Sequence, residues 1–370
     1  MTYVFWQGII SIHQKSFLEA VAASAAGGRV LLVVEQDITA YRKNMGWEAP
    51  QINGVTVIVA PDAARVRELV QTHKDAIHTI GGIKVGAMLT TAFDECIRQG
   101  CKVGVMTEPY NHEGLKGKLR TLKYRYFGLK YFRHIQFVLA IGKLGVAQYT
   151  SLGYNKERLF PWAYFITVPA APRIANTTGN IRIIYAGRLE AAKGIGRFLN
   201  ELIQHSSAGY TLDIFGTGAD ETAMKQQVVN AGLQDRIRFF PFLKYDELLQ
   251  QYAAYDWVVL PSAGKDGWGV IVSEGLLNGL KAMCSNICGV SRVITNGRNG
   301  MVFDWQEAGS CRQAITAMLQ NKGFATTEEI QHWATEGLSA AAGANYFMQL
   351  TDNIYNNQPR PGIPWEQHRI

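Results

Sequence analysis

The chain has no C-x-x-C pair, and no histidine stands at zinc-ligand spacing beside any of its five cysteines, Cys96, Cys101, Cys284, Cys288 and Cys311. That excludes a disulfide framework or a zinc-knuckle fold and leaves buried or idle thiols, as suits a reducing compartment. No metal site is expected. No apolar run approaches the ~18 residues that cross a bilayer. The N-terminal M-T-Y-V-F-W-Q-G carries neither a basic stretch nor a small-residue cleavage site, so it does not read as a signal peptide. The fingerprint G-x-G-x-x-G is missing, which argues against a dinucleotide cofactor, and no repeat of solenoid period occurs. These absences point to a protein that is soluble or peripheral to a membrane.

What is present is an ordinary globular composition. Of 370 residues, 47% are hydrophobic and 18% charged, and the net charge is +7. The length exceeds one core and suggests two domains of about 150–200 residues. The charge excess is modest, so its location matters more than its size.

Short β-branched or aromatic runs alternate with helical stretches. Val4–Trp6, Val30–Val34, Val55–Val59, Ala76–Ile80, Val103–Met106 and Phe137–Ala140 form a first series of expected strands. Ile181–Ala186, Thr211–Phe215, Ile237–Phe240, Trp257–Leu260 and Ala282–Ser285 form a second. Alternation of this kind means parallel sheets with helices on both faces. The fold class is therefore α/β, with two Rossmann-like, doubly wound domains facing a central cleft. The boundaries read as 1–166 for the N-terminal domain, 167–179 for a Pro-rich linker and 180–345 for the C-terminal domain. A helix and tail at 346–370 are expected to return to the N-terminal domain.

Ligands in such folds sit at the C-terminal ends of strands, and the residues there carry chemistry. Trp6-Gln7-Gly8 ends the first strand, and a glycine in that turn lets backbone N–H groups approach an anion; an ordinary β–α turn is the alternative. In Y-A-G-R-L-E-A-A-K-G (185–194), Gly187, Arg188 and Lys193 follow a strand, where two cations suit a diphosphate unless they are merely solvated. In D-I-F-G-T-G-A-D (213–220), Gly216 and Gly218 form either a tight turn or a backbone platform beside a nucleotide base. In A-G-K-D-G-W-G-V-I-V-S-E-G-L-L-N-G (263–279), Gly269 precedes a segment that reads as a helix, though Val270, Ile271 and Val272 also permit a strand. A helix N-terminus there would favour an anion by roughly 0.3–2 kcal/mol. Glu274 lies one turn in, amid apolar residues. Its burial requires hydrogen-bonding partners, either a ligand's hydroxyls or nearby Lys and Arg.

The series G-R-L-x3-K-G, then a strand ending in G-x-G, then P-S with Asp-x7-Glu, then N-G-R-N-G-M-V-F (296–303), resembles the donor half of the family 4 glycosyltransferases, which have the GT-B fold. The resemblance runs from about 181 to 304. The N-terminal half matches mainly at Gly8 and at T-E-P-Y (107–110). It implies a retaining, metal-independent glycosyltransferase with a nucleoside-diphosphate sugar, UDP- or GDP-linked, as donor and no cofactor. Arg188 and Lys193 would bind the diphosphate and stabilise the leaving group, and Asp266 would contact the transferred sugar as a catalytic residue. Glu274 would hold the ribose, and the N–H groups of Gly269, Val270 and Ile271 would meet sugar and phosphate. Gly8 would let a loop reach the diphosphate, while Gly187, Gly216 and Gly218 would border the donor. Two positions depart from the family. Asp266 replaces a Glu, and Thr107-Glu108-Pro109 stands where many relatives have His-Glu-Pro, which leaves Glu108 and His112 as acceptor or sugar contacts. The D-x-D metal signature of the other major glycosyltransferase fold is absent.

Between Gly114 and His134 lies G-L-K-G-K-L-R-T-L-K-Y-R-Y-F-G-L-K-Y-F-R-H, with Lys116, Lys118, Arg120, Lys123 and Arg125 among its cations and no acid. Leu115, Leu119, Leu122, Tyr126, Leu129 and Phe132 recur at helical spacing. The segment reads as a basic amphipathic helix for an anionic membrane surface, against a solvated face packed on its own domain or a nucleic-acid site. With the family resemblance this implies a lipid-linked saccharide acceptor, bacterial surface-polysaccharide synthesis (O-antigen, capsule or exopolysaccharide), and a place on the cytoplasmic face of the membrane. Two rivals remain: a nucleotide-sugar epimerase of the same architecture, for which Asp94, Glu95, Glu108 or His112 would supply acid and base, and a non-catalytic nucleotide-binding protein.

Overall fold

The computed structural model describes residues 1–24, 28–38, 49–169, 172–264, 266–367 and 370. Residues 170 and 171 of the expected linker lie outside that set. The chain forms two compact units, Met1–Thr167 with Ser339–Pro364, and Val168–Leu338 with Trp365–Ile370.

The first unit holds β1 (Tyr3–Ile9), β2 (Val30–Gln36), β3 (Val55–Val59), β4 (Ile77–Gly81), β5 (Lys102–Thr107), β6 (Ile135–Ile141) and β7 (Leu159–Trp162). They make one sheet in the order β3-β2-β1-β4-β5-β6-β7, with parallel pairing throughout. The second unit holds β8 (Ile181–Ala186), β9 (Tyr210–Phe215), β10 (Ile237–Phe240), β11 (Trp257–Leu260), β12 (Lys281–Ser285) and β13 (Gly300–Phe303). Their order, β10-β9-β8-β11-β12-β13, is also fully parallel. In each sheet the winding reverses beside the unit's first strand, at β1/β4 and at β8/β11. Such a switch point opens a crevice beyond the strand ends.

All eleven expected strands form. Two more, β7 and β13, did not register in the sequence. Each has four residues, Leu-Phe-Pro-Trp and Gly-Met-Val-Phe, and a proline or a glycine in so short a run masks the β pattern. Both are edge strands, where proline is tolerated.

Parallel strands are buried on both faces, so both need an apolar cover. One face of the first sheet packs Val4, Trp6, Val33, Ile80, Val105 and Val138 against helices that include Ala63–Thr72 and Ala87–Gln99. On the other, the Ala340–Asn356 helix seats Phe347 among Tyr3, Phe5, Phe17, Phe137 and Trp162, with ring centroids 5.5 to 6.3 Å apart. In the second unit Ile183, Leu212, Ile214 and Trp257 pack with Phe198, Val228 and Ile315. The segment 173–182 is stitched onto this unit: Arg173 and Arg182 both pair with Asp256, at 3.1 and 2.9 Å, and the Ile174 amide donates to the Ala253 carbonyl.

Because Phe347 closes the second face of the first sheet, Phe347→Ala is expected to destabilise that unit by about 3–5 kcal/mol. Urea denaturation followed by far-ultraviolet circular dichroism measures the loss; a change below about 1 kcal/mol would show that the helix adds little to the core.

Candidate active site

The switch point of the second unit brings together the loops after β8 and β11. Backbone packing sets their course. A Cβ on Gly216 would collide with the Gly187 carbonyl, and one on Gly218 with the Leu189 carbonyl. The loops after β8 and β9 run edge to edge, the Gly187 amide donating to the Phe215 carbonyl and the Leu189 amide to that of Thr217. These glycines are thus required by close backbone approach, a stronger reason than the tight turn expected from sequence.

The β8 loop then makes a short helical turn, Ala191–Lys193, and ends at Gly194 (φ +66°), whose Cα faces the Pro261 carbonyl with no room for a side chain. The amides of Ala263 and Gly264 both donate to the Ala192 carbonyl, at 3.0 and 2.7 Å. This docking sets Lys193 against Asp266. Lys193 Nζ lies 2.5 Å from Asp266 Oδ1, and the buried Ser262 hydroxyl donates to Asp266 Oδ2. The backbone of the acid loop is tied in turn to the Gly289–Val293 turn, the Gly289 amide donating to the Asp266 carbonyl and the Val290 amide to that of Trp268. Lys193 and Asp266 are each about one-fifth exposed, at 21% and 20%. The pair is therefore largely covered and hydrogen-bonded rather than a surface ion pair. Arg188, by contrast, is half exposed and pairs with Glu190 at 3.0 Å.

Val270–Leu277 is a helix, which decides between the two readings of that segment. Gly269 caps it, and a side chain there would collide with Leu260. No side chain caps the first turn, so the amides of Val270 and Ile271 lack intrahelical partners by helix geometry. The helix is buried; Gly275 packs against Val258 so closely that a Cβ would overlap its methyl.

Glu274 lies on this helix, 1% exposed. Its partners are neither Lys nor Arg. The Tyr252 hydroxyl donates to Oε2 at 2.7 Å, and Tyr245 provides a second hydrogen bond. Burial raises the carboxyl to about 7, against the opposing pull of the two phenols. Tyr245 and Tyr252 were missed in the sequence. The signal available was their spacing of seven, which puts both on one side of the turns from Tyr245 to Ala254.

The first unit holds the remaining candidates. β1 runs on through Gly8 to Ile9, so Gly8 lies in the strand rather than in the turn expected after it, and space for a side chain is open there. Thr107 is buried, its hydroxyl 2.7 Å from that of Tyr149. It therefore does not present its hydroxyl as a surface group. Glu108 accepts a hydrogen bond from the Tyr164 hydroxyl, and His112 Nδ1 lies 3.1 Å from Gln148 Nε2. Asp94 is engaged by Lys84 and the buried Glu95 by Arg98 and Gln99, which removes both as a free acid–base pair for an epimerase.

Residues 171–337 match the family model described as glycosyl transferases group 1. The second unit is therefore similar to a glycosyltransferase group 1 domain. Its loops after β8 and β11 fall inside the match. Among curated relatives, the chain is similar to a glycogen synthase of Mycobacterium tuberculosis, 25% identical over 201 residues, which are 52% of this chain and 48% of that protein. It is also similar to a D-inositol 3-phosphate glycosyltransferase of Mycobacteroides abscessus, 26% identical over 155 residues, 40% of this chain and 34% of that one. The chain thus spans about half the length, or less, of these relatives. Among solved structures, the lipopolysaccharide outer core galactosyltransferase WaaB superposes with a TM-score of 0.71 at 12% identity, over 97% of this chain and all of that one. HepE of Anabaena, solved with UDP and glucose, superposes with a TM-score of 0.66 at 15% identity, over 95% of this chain and 100% of that one. At these identities the likeness is one of fold, and the fold is GT-B.

The titration of Glu274 makes the stability of the second unit depend on pH. A carboxyl raised from 4.5 to about 7 stabilises the folded state below about pH 4.5, and that stability is lost as pH rises through about 7. Glu274→Gln removes the titration. Relative to this variant, the wild type is expected to lose up to about 3 kcal/mol between pH 4.5 and 8, read from urea midpoints of both proteins. An unchanging difference across that range would place the carboxyl among stronger donors than two tyrosines.

Proposed function

We propose that the protein transfers a sugar from a nucleoside-diphosphate sugar to a hydroxyl of a lipid-linked glycan, with retention of anomeric configuration. The observation that carries this is the Lys193–Asp266 pair at the switch point of the second unit, with Glu274 buried on the Val270–Leu277 helix that follows the acid loop. Lys193 and the amides of Val270 and Ile271 offer positive charge to a diphosphate. Arg188, held only by an exposed ion pair, can swing to join them. Asp266, freed of the lysine, is placed to accept hydrogen bonds from hydroxyls of the sugar. Glu274 gives up its tyrosine partners, in part, for the hydroxyls of a ribose.

The chemistry asked of these groups is leaving-group stabilisation. The bond from the anomeric carbon to the donor's phosphate oxygen breaks, the bond to the acceptor oxygen forms on the same face, and the departing diphosphate takes the acceptor's proton. Charge then builds on the phosphate, where a preorganised cation and helix dipole are most effective. Because protein groups supply that charge, activity without a divalent metal is part of the proposal. HepE has been solved with UDP-glucose, so a uridine nucleotide is the first donor to try, with guanosine second.

The Gly114–Tyr131 helix supports a membrane site. It has two faces. Gly117 and Gly128 are buried, and Tyr124, Phe127 and Tyr131 pack on the core. Leu115, Leu119, Leu122, Tyr126 and Leu129 form an opposite stripe that is 56% to 83% exposed. The helix thus packs on its own domain through one face and leaves the leucine stripe to solvent or to a surface. At 100° per residue, Lys116, Lys123 and Lys130 flank the stripe on one side and Lys118 and Arg125 on the other, while Arg120 turns back to the Asn111 carbonyl. Leucines between two rows of cations match the boundary of an anionic bilayer. No described helix is long and apolar enough to cross a membrane. The occupant we infer is the cytoplasmic leaflet, where a lipid-linked acceptor would be met and bacterial surface polysaccharide extended.

Two measurements test these parts separately. Lys193→Ala and Glu274→Ala are each expected to lower turnover of a nucleotide sugar by about 10²-fold or more in a coupled nucleotide-release assay with and without EDTA; full activity in both folded variants would place the chemistry elsewhere. Replacing Lys116, Lys118, Lys123 and Arg125 by Glu should abolish flotation with anionic vesicles, and undiminished flotation would remove the membrane from the account.

A further inference from the structure

Sequence spacing left Cys96 and Cys101 as two idle thiols. The fold brings them together. The Ala87–Gln99 helix ends at Gly100 in the left-handed region (φ +69°), and the Cys101 amide donates back to the Cys96 carbonyl at 2.9 Å. This is the six-to-one bond of a Schellman turn, which sets the residues at its two ends side by side. Both sulfurs and a ring nitrogen of His78 lie within 4.8 Å of one another, all in buried residues.

Three such ligands invite a metal reading, and the histidine argues against it. Trp6 Nε1 lies 3.1 Å from His78 Nδ1. An indole N–H can only donate, so Nδ1 accepts and the ring proton is assigned to Nε2, which lies 3.0 Å from the His73 carbonyl. Neither ring nitrogen keeps a lone pair for a cation. The ring's one N–H, on Nε2, is instead shared between the His73 carbonyl and Cys101.

We propose that Cys96 and Cys101 are an oxidisable dithiol, with Cys101 as the nucleophile and a peroxide as the oxidant. The Cys101 thiolate attacks one peroxide oxygen, the O–O bond breaks, and hydroxide leaves with a sulfenic acid formed on Cys101. The Cys96 sulfur then attacks the Cys101 sulfur, expelling the oxygen as water with the thiol proton. In sum, two thiols and hydrogen peroxide give one disulfide and two waters. The electrostatics fit this order. The Cys96 S–H, and after it His78, stabilise a thiolate on Cys101 against burial and the nearby Glu95, and hold it well below the ordinary thiol range. The Cys96 thiol, donating that hydrogen bond and buried, is pushed well above it. Cys101 is 5% exposed and follows the exposed Gly100 at the helix end, so a small oxidant has a short way in. The thiols of Cys288 and Cys311 are pushed up to about 11 and about 12, chiefly by burial.

Mass spectrometry of the whole protein tests this. After brief treatment with hydrogen peroxide and alkylation of remaining thiols, trypsin cleaves at Arg98 and Lys102. The peptide of Cys96 should then be joined to Gln99–Lys102, two hydrogens lighter, and released by dithiothreitol, while Cys288 and Cys311 stay alkylated. In Cys96→Ser the reaction should stop at a sulfenic acid on Cys101 that dimedone captures. In untreated protein near neutral pH, iodoacetamide should label Cys101 about 10-fold or more faster than Cys288 and Cys311. Peptides that remain separate in protein of unchanged circular dichroism would overturn the proposal. So would one equivalent of zinc in the purified protein whose removal is needed before Cys101 reacts.

Discussion

A lysine ammonium set against an aspartate at the edge of a helix N-terminus is the interaction from which the rest of this site follows. Both groups are about four-fifths covered, and Ser262 holds the second oxygen of the aspartate. Lys193 sits on a turn pinned to the β11 loop through the Ala192 carbonyl, and Asp266 sits on a loop pinned to the Gly289–Val293 turn. Side chains are excluded at Gly194, Gly216, Gly218 and Gly289 because backbone oxygens stand where a Cβ would go. Closely packed backbone thus places the two charges against each other. On the proposed reading, a diphosphate that displaced Asp266 from Lys193 would find the cation beside the first turn of the Val270–Leu277 helix.

Behind that pair lies a different economy. Glu274 is sealed in an apolar helix with phenols for company, and its affinity for a proton is raised accordingly. Two tyrosines satisfy it without neutralising it. A ligand hydroxyl is chemically the same partner as a tyrosine hydroxyl, so exchange of one for the other costs little beyond desolvation. On the proposed reading, that equivalence lets one buried carboxylate accept hydrogen bonds from tyrosines or from a sugar.

Much of this was legible in the chain. Alternating apolar runs announced both sheets because parallel strands are buried on both faces and leave a long, dense signal. Arg188, Lys193, Asp266 and Glu274 stood out because charge interrupts that signal just past strand ends. What escaped depended on distance in sequence. The tyrosines that hold Glu274 come from another element, and their hydroxyls give no local sign of their target. His78 joins Cys96 and Cys101 only because β4, β5 and the intervening helix are neighbours in the sheet order. Gly8 was misplaced by one strand end, since a glycine after Trp6-Gln7 looks like a turn until the β1–β2 register, which continues to Ile9, is known. The basic helix was readable as amphipathic. Which of its faces met the core depended on the glycines at 117 and 128, where neighbours pack too close for a side chain.

The central claim is that the second unit grips a diphosphate through Lys193 while Glu274 holds the sugar oxygens of the nucleotide. A crystal structure of the protein with UDP or GDP tests it most directly. The account predicts density for the diphosphate within hydrogen-bonding distance of Lys193 Nζ and the amides of Val270 and Ile271, with a ribose hydroxyl on Glu274. A nucleotide bound with its ribose away from Glu274, or its phosphates away from Lys193, would contradict it.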